Sequence, residues 1–211
     1  MTCIIALRKE LAIPATCGMA APVVMICLWT LASILRPGYD QLTQIGSELG
    51  TGQYSIVMNV NFVITGVLIL IFWLGLVRTW HPGKWSWLGL VMLAIAAATE
   101  VATGIFACDP GCPLNDGSIS QMIHTGIAVV FFGAMAVFPV FIGIGLNQDQ
   151  YWTPYRSYSL VTGVASIGLF IAFSVAVLTS FQYVGLLQRF FLAAPFQWIG
   201  IMANRLRYFT K

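Results

Sequence analysis

Charge is scarce in this sequence. Of 211 residues only 10 are Lys or Arg and 7 are Asp or Glu, 8% in all, where soluble domains carry about 25%. With 59% of its residues hydrophobic, a chain so poor in charge has no means of covering its apolar surface in water, which excludes a soluble fold. The few basic residues form no run or stripe, so nucleic acid is excluded as a partner for want of an electrostatic footprint. Histidine is limited to His81 and His124, and no complete nucleophile or metal-ligand motif is present. The 5 cysteines are an odd count for a disulfide framework. Cys17 and Cys27 lie in or near the first apolar block as small fillers, which leaves Cys108 and Cys112 as the one pair close enough to consider. No repeat, linker or shift of composition divides the chain, which reads as one transmembrane domain over residues 1–211.

What is abundant is hydrophobic sequence in long blocks, apolar all round instead of on one helical stripe, as expected of helices that face lipid or one another. A hydrocarbon core of about 30 Å takes roughly 20 helical residues. Six blocks meet or approach that length, at about 16–35, 57–77, 87–107, 121–146, 159–178 and 184–204. The fold class expected is therefore all-α, a polytopic membrane bundle of about six helices. The basic Arg8-Lys9 ahead of the first block resembles the start of a signal peptide, but the apolar stretch from Leu11 to Leu35 outruns an h-region of 7 to about 15 residues. It reads as a permanent span. Pro139 falls inside the fourth block, where it removes a helix hydrogen bond and is expected to kink the helix.

Positive residues are retained in the cytoplasm. With the N-terminus inside, the cytoplasmic segments hold Arg8, Lys9, Arg78, Lys84, Arg156, Arg205, Arg207 and Lys211, against only Arg36 and Arg189 outside. Trp80, Trp85, Trp87, Tyr151, Trp152, Tyr155 and Tyr158 cluster in the two loops this assigns to the inner interface, the depth amphipathic rings favour. Both termini are expected in the cytoplasm.

The polar residues that need explaining fall on the opposite side. Arg36 and Asp40 follow the first block, Glu48 precedes the second, which opens with Asn59 and Asn61, and Arg189 lies near the start of the sixth. Glu100 sits eight positions before Cys108, so about 12 Å below the helix end. An ionised carboxylate there costs at least about 2.5 kcal/mol on insertion scales. Glu100 should thus face the interior and be protonated or find a partner, with Thr103, Asn61 or a neighbouring serine as structural options. His124, near Ser120 and Gln121, reads either as a structural histidine or as a haem, chlorophyll-magnesium or metal ligand. Asp40, Glu48, Asp109 and Asp116 offer oxygen to a hard cation, yet their spacing matches no known metal loop, and a solvated or capping role serves equally. Cys108 and Cys112 flank the Asp109-Pro110-Gly111 turn as a candidate disulfide on an oxidising side.

Arg36-Pro37-Gly38-Tyr39-Asp40, Ser47-Glu48-Leu49-Gly50, Asn61-Phe62, Asp109-Pro110, His124, Tyr158-Ser159-Leu160, Thr162-Gly163, Gly185-Leu186 and Gln188-Arg189 together resemble the bacterial and archaeal membrane family known as domain of unknown function 998. The resemblance covers nearly all of the chain from Arg36 onward. It implies a multi-span helical membrane protein and supplies no activity. Ala107 stands where the family often has proline, and Cys108 and Cys112 are not family features.

Two functional readings follow, with the cofactor unassigned in both. In the first, the chain is a non-catalytic accessory or assembly subunit whose partners are the lipid bilayer and either other membrane proteins or further copies of itself, with bound lipid or pigment as an added option. In the second, it is an outer-leaflet enzyme acting on a lipid or other amphiphile through Glu48, Glu100, Asp109 and His124, since carboxylates beside a histidine in a low-dielectric cleft can run acid–base chemistry. A transporter lacks its usual pointers, a repeat and paired broken helices.

Overall fold

The computed structural model describes residues 2–80, 83–114, 117–148 and 150–208. His81, Asp116 and Lys211 lie outside these, as do the side chains of Arg8 and Lys9. Among the described residues there are six long helices, α1 (Thr2–Leu35), α2 (Ser55–Thr79), α3 (Lys84–Ile105), α4 (Ile119–Gly145), α5 (Arg156–Leu178) and α6 (Val184–Tyr208), with short 3₁₀ turns at Gly46–Gly50, Leu146–Gln148 and Thr153–Tyr155. All six are long and apolar enough to cross a membrane, and the described residues contain no strand. The chain is thus an all-helical, multi-pass membrane protein.

Most helices outrun the hydrophobic blocks that announce them. The backbone keeps its hydrogen bonds internal until it reaches water, so the helix persists through interfacial residues such as Lys84 and Arg205. The difference is greatest in α1, which begins at Thr2 instead of near residue 16 and passes through Pro14 and Pro22 without a break. Likewise α4 continues through the buried Pro139 and α6 through the buried Pro195. Proline is tolerated in membrane helices because packed neighbours hold the turn that loses its bond.

Each helix packs against the one before it, and α6 returns to pack on α1, closing a ring in the order of the chain. Packing and interhelical hydrogen bonds, not a hydrophobic drive, hold such a bundle together in lipid. Asn61 donates to the Met25 carbonyl at 3.1 Å, joining α2 to α1, and the Trp73 indole donates to the Leu90 carbonyl at 2.8 Å, joining α2 to α3. The Trp198 indole donates to Ser159 Oγ at 2.9 Å, joining α6 to α5, and its ring meets Phe138 of α4 edge-on, centroids 5.0 Å apart. Where α4 crosses α5, Gly163 lets the helices close: a Cβ there would lie 2.6 Å from Val140 N. Large apolar side chains such as Ile26, Ile119, Val161 and Leu178 cover the outside of the ring.

The two ends of the bundle are built differently. At the near end, where α1 begins and α6 finishes, Trp80 stacks on Trp152 with centroids 5.1 Å apart. The far end carries the α1–α2, α3–α4 and α5–α6 connections. There Gly185, at the start of α6, lies against the Gln44 carbonyl so closely that a side chain would displace the loop.

Candidate functional site at the far end of the bundle

The far end is assembled by polar side chains reaching from helix ends to loop backbone. Arg36, just past α1, donates to the carbonyls of Glu48 (3.0 Å) and Thr51 and so clamps the 3₁₀ turn. Asp40 accepts from Leu42 N at 2.9 Å and Thr43 Oγ1 at 3.2 Å, a local turn cap. Glu48 accepts from Gln44 Nε2 at 2.7 Å and from Ile45 N at 3.4 Å. Asn59 donates to the Gly50 carbonyl at 3.2 Å. Gln188 of α6 accepts from Gly46 N at 2.7 Å, which ties the same turn to the last helix.

The α3–α4 connection is tied down separately. Asp109 accepts from Ser118 N at 2.7 Å and Ser118 Oγ at 2.8 Å, and these bonds hold its carboxyl below the ordinary carboxylate value. Gln121 accepts from Asp109 N at 2.8 Å and donates to the Pro113 carbonyl at 2.8 Å. His124, 4% exposed, places Nδ1 2.7 Å from the Phe106 carbonyl at the end of α3, so that nitrogen carries the proton. Cys108 and Cys112 are joined as a disulfide, their Cα atoms 5.2 Å apart, and Cys108 Sγ lies 3.5 Å from the Ser47 carbonyl, where the two loops touch.

Glu100 stands apart from this pattern. It is 1% exposed, and its Oε1 has no hydrogen-bond partner. The expected partners are engaged elsewhere: Thr103 donates to the Thr99 carbonyl, and Asn61 accepts from Thr65 while donating to Met25. Glu100 instead lines a small cavity of about 20 Å³ with Ser47, Thr103, Trp29 and Gln188, room for about one water molecule. Glu48, Asp109 and His124 do not line it. Among the described residues, no three His, Cys, Asp or Glu side chains gather closely enough to hold a metal ion.

A second constellation was not assembled by sequence reasoning, which singled out Arg189 but not its surroundings. The Arg189 guanidinium lies over the Trp29 ring, 4.8 Å from its centroid, and donates to Tyr39 Oη (2.8 Å), the Gly185 carbonyl (2.8 Å) and the Gln44 carbonyl (3.2 Å). Burial pushes the Tyr39 phenol up from its ordinary value, against the opposing pull of the Arg189 charge. Below this cluster a cavity of about 480 Å³ opens between α1 and α6. The available signal was Gln188, Arg189 and Gln197 inside a helix apolar enough to span, since polar residues in a span ask for an interior or a cavity to face.

The family model described as a protein of unknown function (DUF998) matches residues 19–205. No curated protein and no solved structure matches the chain.

Proposed function

The chain belongs to the DUF998 family of proteins of unknown function, so its role has to be read from its own geometry, and we propose that it is a non-catalytic accessory or assembly subunit of a bacterial or archaeal cytoplasmic membrane, packing against other membrane proteins. One observation carries this reading. The polar side chains of the far end, Arg36, Asp40, Glu48, Asp109, Gln121, His124 and Gln188, are each bonded to loop or helix-end backbone. Their chemistry is spent on holding the connections in place. The ring meanwhile offers an apolar outside, and on α4 the positions of Gly126 and Gly133 have open space where a Cβ would be. Small residues on such a face let a partner helix approach closely.

The test is replacement of Gly126 and Gly133 together by Leu, followed by extraction into native nanodiscs. A stoichiometric membrane partner should accompany the parent chain and be lost from the variant, with the melting temperature of the isolated chain unchanged. A parent chain extracted alone at monomer mass would refute the proposal. The second reading, an outer-leaflet enzyme acting on an amphiphile through Glu48, Glu100, Asp109 and His124, keeps only the unpartnered Glu100 oxygen at a cavity that the other three do not line.

A further inference from the structure

The ring of helices closes where α6 meets α1, and that seam is not filled. Its cavity of about 480 Å³ falls in the range of about 300–1,000 Å³ typical of small-molecule sites. The walls are apolar, with Met25 and Ile26 of α1 facing Leu192 and Phe196 of α6. At its far end stand Arg189 and Gln41. Phe196 lies seven residues below Arg189 on α6, about 10 Å deeper along the helix, so the cavity has a polar head and an apolar shaft. Ile26 is 65% exposed, and Thr30, Ala193 and Gln197 are exposed beside it. The mouth therefore opens sideways, toward the acyl chains around a membrane-spanning bundle.

No carboxylate bonds the charge at the head. A guanidinium stays protonated and has five N–H donors, and those of Arg189 go to two carbonyls and a phenol, all neutral oxygens. Among the described residues it makes no ion pair. The acids of the neighbouring loop take their hydrogen bonds elsewhere, Glu48 from Gln44 and Ile45, and Asp40 from Leu42 and Thr43; Glu48 reaches the cluster only through its field at Tyr39. A cation without a salt-bridge partner, above an apolar shaft open to the bilayer, is complementary to one class of molecule, a lipid with a negatively charged phosphate headgroup. A guanidinium is well suited to phosphate oxygens, which it can grip with two parallel N–H bonds.

We propose that the α1–α6 seam binds one anionic phospholipid, its phosphate on Arg189 and Gln41 and one acyl chain in the cavity between Met25, Ile26, Leu192 and Phe196. Trp29, beneath the guanidinium, holds the cation at that depth through its ring face. The site does not depend on whether the chain acts as a subunit or as an enzyme, so its failure would leave either reading standing.

The experiment is native mass spectrometry of the full chain, with phosphatidylglycerol and phosphatidylcholine supplied together at equal concentration. One phosphatidylglycerol should be retained in preference. Arg189→Gln should lower its occupancy about tenfold, the loss of a hydrogen bond to a charged group, while Arg189→Lys restores part of it. Because Arg189 also braces the loop, Ala193→Trp is the decisive variant. It fills the shaft from the lipid side and should abolish retention with the melting temperature of the delipidated chain unchanged. Equal retention of the two lipids, or phosphatidylglycerol binding indifferent to Ala193→Trp, overturns the proposal. Displacement of the lipid by millimolar inorganic phosphate would overturn it too, because the acyl chain would then contribute nothing.

Discussion

Asp109 receives two hydrogen bonds from Ser118, and the pair places a pH limit on the α3–α4 connection. Both bonds favour the ionised carboxyl, so the folded value lies below the ordinary 3.8. A depressed carboxylate contributes stability that is present above the unfolded value and lost as pH falls through the folded one. Protection of the Ser118 amide, measured by hydrogen exchange and corrected for intrinsic rate, should persist at pH 3.8 and fail only below it. Asp109→Asn should remove the pH dependence. Protection already lost well above pH 3.8 would disprove the assignment. At this scale the sequence located Asp109, His124 and Arg189 but could not say what they touch. His124 meets a carbonyl 18 positions away, and Arg189 meets a tyrosine 150 positions away. Contacts of that separation depend on how helices pack, which residue identity does not encode.

Between elements, the crossing of α4 and α5 is held by the absence of a side chain. Gly163 faces Val140 N at a distance a Cβ cannot occupy, so Gly163→Val forces the helices apart and should cost about 1–3 kcal/mol, as overpacking generally does. Gly168 on the same helix has open space around it, and Gly168→Val should cost nothing, since valine meets no neighbour there and forms helix slightly better than glycine. Unfolding of the two variants in mixed detergent, compared with the parent, decides the matter; equal midpoints would show that the close crossing carries no stability. The spans themselves were legible because each is a continuous apolar run. Their ends were less so, most of all in α1, whose apolar block at about 16–35 is extended back to Thr2 through Pro14, a residue that packed neighbours accommodate inside a bundle.

For the molecule as a whole, an even number of spans returns the chain to the side on which it began. The excess of Lys and Arg beside the near-end segments, eight against two, sets the expectation that this side is cytoplasmic. A green fluorescent reporter fused after Lys211 should be bright and an alkaline phosphatase fusion at the same place inactive; the reverse pattern would invert the topology and move the polar far end to the cytoplasm.

The sequence by itself determined that the chain lives in a bilayer, that it crosses about six times as helices, and which residues are too polar to be there without a reason. Those follow from transfer free energy and backbone hydrogen bonding, which act residue by residue along a continuous run. Only the tertiary structure decided that the ring closes between α1 and α6, that Glu48, Asp109 and His124 bind loop backbone while Glu100 keeps an unpartnered oxygen, and that Arg189 caps an open seam. In lipid no hydrophobic force tells one apolar helix face from another, so the choice of neighbour falls to packing shape and a few hydrogen bonds, which appear only when all six helices are in place.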